Sequence, residues 1–125
     1  MPGRVTHFEV PYDDADRAAS FYREIFDWEV QPMPELDYTF VSTGPTGDDG
    51  PTEPGYIGGG MYARAGDASP NPVIVIEVPD IDATLSRIEA NGGAAVGQKN
   101  PVADLGGSAD LSDSEGDMRG LWLSR

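Results

Sequence analysis

The stretch HFEVPYDDADRAASFYREIFDWEV, residues 7–30, is answered later in the chain by VIEVPDIDATLSRIEANGGAAV, residues 75–96. Each reads as a strand ending in Glu-Val-Pro, an aspartate-rich helix start, an amphipathic helix and a second strand, so the chain is built from a repeated unit. In the first copy, alternation from Val5 to Val10 sends Thr6, Phe8 and Val10 toward the helix and Val5, His7 and Glu9 to the opposite face. The helix should open at Asp13 or Asp14, bury a stripe of Ala15, Ala18, Tyr22 and Ile25, and end near Asp27. In the second copy Ile74, Ile76 and Val78 face the helix, while Val73, Val75 and Glu77 face away. Asp80 or Asp82 caps that helix, Ile81, Leu85 and Ile88 form its apolar stripe, and Asn91-Gly92-Gly93 supplies a left-handed stop.

Outward from these two anchors, Trp28–Gln31 and Tyr38–Thr43 read as strands joined by a turn at Pro32–Pro34. The segment GPTGDDGPTEPG, residues 44–55, has no periodicity and reads as a mobile surface loop or a lid. Tyr56–Arg64 would be the fourth strand, with Gly58, Gly59 and Gly60 leaving room for close approach by another backbone or a ligand. Strands near Ala94–Gln98, Ser108–Ser112 and Met118–Ser124 complete the second copy, the last two joined by a turn at Asp113–Asp117. The pattern predicts an α+β fold in a single domain over residues 1–125, with module one at about 4–65, a linker at 66–72 and module two at 73–125.

With 125 residues, 38% of them hydrophobic, the chain can bury about two-thirds of its unfolded surface and needs no disulfide or metal to hold together. It has no signal-like apolar run and no stretch near the roughly 20 apolar residues of a membrane span, which predicts a cytoplasmic protein with no membrane partner. A net charge of -14, from 22 acidic and 8 basic side chains, repels nucleic acid and attracts cations. The same acidity also serves solubility or a salty cytoplasm. With no cysteine, thiolate chemistry is excluded and any metal would need histidine or oxygen ligands.

The order strand, helix, three strands, twice over, carried by HFEVPYDDADRAASFYREIFDW, DIDATLSRIEANGG and SDSEGDMRGLW, resembles the vicinal oxygen chelate superfamily. Glyoxalase I, extradiol dioxygenases, methylmalonyl-CoA epimerase and the fosfomycin and bleomycin resistance proteins belong to it. The resemblance implies two βαβββ modules whose eight strands form a cupped mixed sheet around a cavity, commonly completed in a homodimer. Because this scaffold hosts lyases, oxygenases, transferases and non-catalytic drug binders, the site has to decide the function. In metal-dependent relatives, ligands come from the first and fourth strands of each module. His7 matches the first position, but the second falls in the Gly-Gly-Gly-Met-Tyr run, the third on Val73 and the fourth on Gly120. One donor of four cannot hold a divalent ion tightly.

The ligand-binding set read from the sequence is His7, Glu9, Tyr38, Val75, Glu77 and Trp122. His7, the only histidine, is the candidate catalytic acid or base, against the alternative of a histidine satisfied by a neighbouring hydrogen bond. Glu9 and Glu77 occupy corresponding places in the two modules and should each find an arginine, a cation or a proton, with Arg64 a candidate partner. Tyr38, Phe40 and Trp122 form an aromatic wall for a planar or cationic ligand, or simply part of the core. No metal or other cofactor is expected. The alternative is a divalent metal on His7, Glu9 and Glu77, the first two being about 7 Å apart along one strand. The resulting expectation is a glyoxalase- or bleomycin-resistance-like protein binding a small organic, in one reading cationic, molecule. Its alternative is a lyase, isomerase or dioxygenase-like enzyme using that metal or a His7 base.

Overall fold

Asp14 and Asp80 open the two helices in the same way. Each has extended backbone, and its carboxylate accepts from the N–H three residues on, Arg17 at 3.0 Å and Ala83 at 2.9 Å. Of the two candidates at each start, the structure selects these. Replacing either by alanine is expected to cost about 1 kcal/mol of unfolding free energy. Urea unfolding checks this, and an unshifted midpoint would show that the cap is idle.

The computed structural model describes residues 2–66, 68–102 and 106–124. The elements are β1 (Arg4–Tyr12), α1 (Ala15–Phe26), β2 (Glu29–Met33), a 3-10 turn (Pro34–Leu36), β3 (Tyr38–Ser42), the two-residue strands β4 (Thr46–Gly47) and β5 (Gly50–Pro51), β6 (Gly58–Ala63), β7 (Val73–Glu77), α2 (Ile81–Ala90), β8 (Ala94–Val102), β9 (Gly106–Ser112) and β10 (Met118–Ser124). The fold is α+β: two helices and an eight-stranded mixed sheet, each half following the order β-α-β-β-β apart from the small β4–β5 hairpin. The chain divides into two compact units, His7–Pro72 and Val73–Arg125, the latter taking in Met1–Thr6.

In the N-terminal unit the strand order is β2-β3-β6-β1, with β1 and β6 parallel and the other pairs antiparallel. In the C-terminal unit it is β7-β10-β9-β8, with β7 and β10 parallel. The two orders are the same pattern, so the sequence repeat is a repeat of topology.

In the N-terminal unit Ala19, Val30, Val41 and Met61 form the core, with Phe8, Val10, Ala18, Tyr22 and Trp28 packed against them. The apolar stripe of α1 differs from the expected one. Ile25 is 61% exposed and Ala15 is also exposed, at the border of a cavity, while Ala18, Ala19 and Tyr22 meet the sheet. Asp27, left-handed at φ 58, ends the helix and delivers Trp28 onto Tyr22, ring on ring at 4.7 Å and 5°. Trp28 therefore packs on the core from beyond the helix end, and Phe21, Ile25 and Phe26 are left on the outer side.

In the C-terminal unit Val78, Ile81, Ala109, Leu111 and Leu121 are buried together, with Ile76, Leu85 and Ile88 against them, as the apolar spacing requires. Ile74 departs from expectation. It lies two residues before Ile76 at the start of β7, outside this cluster, and is 42% exposed. The left-handed backbone after α2 falls on Gly92, at φ +97, rather than on Asn91.

The segment 44–55 is not without structure. Strands β4 and β5 pair, and Pro45 O accepts from Tyr56 Oη at 2.6 Å, from Thr52 N at 3.1 Å and from Thr52 Oγ1 at 3.2 Å. One carbonyl with three donors ties the hairpin to its own base. Arg64 lies past the end of β6, where it pairs with Asp13 at 2.7 Å and donates to Pro70 O at 3.1 Å, at the rim of its unit rather than against Glu9.

Candidate functional site

Strand alternation puts His7 and Glu9 on the face of β1 that points away from α1, and parallel pairing with β6 sets them beside Gly58 and Gly60. Antiparallel pairing then sets Phe40 of β3 beside Gly60 on its other side, with Tyr38 two residues earlier on that same face. The Tyr38 ring crosses over β6 to reach β1. A Cβ built on Gly60 would lie 1.7 Å from Tyr38 Oη and 2.0 Å from its Cζ, so the phenol occupies the place of a side chain at position 60. On the opposite face a Cβ at Gly59 would lie 2.5 Å from the Phe8 ring. The glycine run thus makes room for two of the protein's own aromatic rings, where the sequence had suggested a backbone or a ligand.

The crossing creates a hydrogen-bonded chain. Tyr38 Oη donates to Glu9 Oε2 at 2.9 Å and lies 3.0 Å from His7 Nε2. Phe40 meets the Tyr38 ring edge-on, with centroids 5.3 Å apart, and steadies it from the next position on the strand face. All three polar side chains are half-buried. Burial pushes the His7 imidazole below its ordinary value and so favours its neutral form. Burial first, then the charge of Glu9 and its hydrogen bond, and last Tyr62, push the Tyr38 phenol far above its ordinary range. Tyr38 therefore keeps its proton throughout the physiological range.

Val75, Glu77 and Trp122 come together separately, in the C-terminal unit. Gly120 pairs with Val75 and Trp122 with Glu77 across β7 and β10, and the Val78 N–H donates to Trp122 O at 2.9 Å. Val75 is buried, and a Cβ on Gly120 would come within 3.2 Å of its Cγ2. The register adds a residue that sequence reasoning passed over. Asp110 of β9 pairs with Gly120 and so shares this face; its side chain is exposed at the surface, and partial loss of solvent around the carboxyl pushes it upward. The signal was present in the alternation of Ser108, Asp110 and Ser112.

A cavity of about 230 Å³ lies within the N-terminal unit, lined among others by Ala19, Arg23, Asp37, Tyr38, Thr39 and Met61. It borders Tyr38 but neither His7 nor Glu9, and it falls short of the roughly 300 Å³ at which small-molecule pockets usually begin.

At the four positions to which the resemblance assigns metal ligands, the residues do not fit a divalent metal ion. Of the four corners, only His7 carries a donor, β6 presents Gly58 and Gly60, Val73 is buried hydrocarbon and Gly120 has no side chain. Among the described residues no group of three or more histidine, aspartate or glutamate side chains is arranged to hold a metal ion.

A family model for the N-terminal part of bleomycin-resistance-like proteins matches residues 4–44. The fold of the whole chain matches solved structures. One is a hypothetical protein from Bacillus halodurans C-125, at TM-score 0.67 and 14% identity over 100% of this chain and 96% of that one. Another is methylmalonyl-CoA epimerase from Mycobacterium tuberculosis, at 0.63 and 14%, over 96% and 87%. A third is a methylmalonyl-CoA epimerase in complex with methylmalonyl-CoA and NH4+, at 0.66 and 16%, over 99% and 96%. The fold is that of the vicinal oxygen chelate superfamily. No curated protein matches the sequence. At these identities the vicinal oxygen chelate likeness extends to the architecture, and the chemistry has to be read from the chain's own side chains. Among the described residues no helix is long and apolar enough to cross a membrane.

Proposed function

We propose that the protein binds a small organic molecule on the sheet face that carries His7, Tyr38 and Glu9, without the divalent metal of the metal-dependent vicinal oxygen chelate proteins. The observation that carries this reading is the His7–Tyr38–Glu9 chain itself, three polar side chains from two strands held together on one face. In the C-terminal unit, taken by itself, Val75, Glu77 and Trp122 form a second candidate binding face, where a carboxylate beside an indole suits an organic cation. The reading includes a homodimer working in the cytoplasm. Two of the structural relatives are epimerases, one in complex with a coenzyme A ester and ammonium, which makes thioesters and ammonium compounds the first ligands to try.

The experiment is a thermal-shift panel of organic ammonium compounds and acyl-CoA thioesters. A ligand present at 100 times its Kd stabilises the folded state by about 2.7 kcal/mol, which raises the Tm by roughly 10 °C for a chain of this size. Tyr38→Phe is expected to abolish at least half of that shift. A panel with no effect on the wild-type protein would overturn the reading. So would about one equivalent of divalent metal retained through chelator-free purification and lost in His7→Ala.

A second reading is favoured by the displaced equilibrium of His7. A neutral imidazole near pH 7 can remove a proton next to a carbonyl without a metal, which makes a lyase or isomerase activity the enzymatic alternative.

A further inference from the structure

The hydrogen-bond chain has a direction that fixes the state of its histidine. A phenol has one proton to give. Tyr38 gives it to Glu9 Oε2 at 2.9 Å, so toward His7 Nε2, at 3.0 Å, the phenol oxygen can only accept. Nε2 must then carry the imidazole proton, and in the neutral ring Nδ1 is left as a bare acceptor. Nδ1 has no hydrogen-bond partner among the described residues. It is not sealed in the interior either, because among the described residues no buried polar side-chain atom lacks a partner. Glu9 thus orders Tyr38, Tyr38 orders His7, and the Nδ1 lone pair of His7 reaches solvent.

We infer that Tyr38 is a positioning residue that holds His7 in its Nε2–H tautomer, so that the site takes a small molecule presenting a hydrogen-bond donor to Nδ1. This rests on the ligand face proposed above and names the chemical class it selects. Whatever contact the phenol itself makes on that face, this role acts through His7. The phenol's work is to deny His7 the other tautomer, in which Nδ1 would carry the proton and repel the same donor. A ligand of equal charge but without an N–H or O–H would gain nothing from the arrangement.

The chain has a single histidine, so labelling histidine with nitrogen-15 gives one imidazole spectrum. At pH 8 the wild-type protein is expected to show a slowly exchanging Nε2–H cross-peak and an unprotonated Nδ1, and Tyr38→Phe is expected to lose the slow exchange. Benzylammonium chloride should shift the Nδ1 resonance, and benzyltrimethylammonium chloride, which has the same charge and ring but no N–H, should leave it in place. An Nδ1–H cross-peak in the wild-type protein, or an unchanged Nε2–H signal in Tyr38→Phe, would overturn the positioning role. Equal shifts from the two probes, or none from either, would overturn the donor class. Should Tyr38→Phe fail to fold, the wild-type tautomer and the probe pair still decide. The tautomer is read without ligand, so it stands or falls apart from the thermal-shift panel. A panel with binders lost in Tyr38→Phe but silent probes would retire the inference and leave the binding function in place.

Discussion

Gly60→Ala is expected to lower the unfolding free energy by about 2–3 kcal/mol and to throw the Tyr38 ring off the sheet. The added methyl would sit 1.7 Å from Tyr38 Oη, 2.0 Å from Cζ and 2.3 Å from Cε2, so the whole outer end of the ring has to leave. Overpacking costs of this kind run at about 1–3 kcal/mol. Two hydrogen bonds, to His7 and Glu9, go with it at roughly 1 kcal/mol each, partly recovered by water because the groups are only half-buried. The check is a double-mutant cycle by urea unfolding. With Tyr38→Ala already in place, Gly60→Ala has nothing to strike, and its cost should fall below about 1 kcal/mol. Strictly additive effects would mean that the ring does not lie over position 60.

Ile81→Ala is expected to be at least as damaging, at about 3–4 kcal/mol, because Ile81 is 2% exposed and opens α2 in the middle of the cluster of Val78, Ala109, Leu111 and Leu121. The midpoint of urea unfolding should drop with little change in slope. Ile25→Ala is the control, since an isoleucine 61% exposed should change stability by no more than about 0.5 kcal/mol. If the two substitutions cost the same, the burial described for α2 is wrong.

These two isoleucines also mark what the sequence could and could not say. In α2 the spacing of Ile81, Leu85 and Ile88 leaves one possible buried face, and that face is buried. In α1 apolar residues surround the helix: Ala15, Ala18, Ala19, Phe21, Tyr22, Ile25 and Phe26 allow more than one stripe. Close approach of the small Ala18 and Ala19 to the sheet settled the choice, with Trp28 stacking on Tyr22 from outside the helix, a contact that helical periodicity does not contain.

The same distinction holds at the candidate site. Period-two alternation was enough to place His7 with Glu9 and Val75 with Glu77 on strand faces, and to single out Tyr38. It was not enough to link Tyr38 to both His7 and Glu9, because that contact spans β6 and depends on three strand registers at once. Nor did it identify what fills the space beside Gly58, Gly59 and Gly60. A glycine run announces room, whereas the occupant is known only when the neighbouring strand is placed. Asp110 was missed for a simpler reason: one acidic residue among 22 draws no notice until β9 is seen to put it beside Gly120.

The aspartate that ends α1 carries a thermodynamic bias. Asp27 brings a negative side chain to the carbonyl end of a helix, where the aligned peptide dipoles are already negative. Ion pairs such as Arg64–Asp13, Lys99–Asp82 and Arg119 with Asp113 and Asp117 lie at least partly in solvent and offset little of a net charge of -14. Dissolved salt therefore removes more repulsion than attraction from the folded chain, and the native state gains from ionic strength where most proteins held by surface pairs would lose.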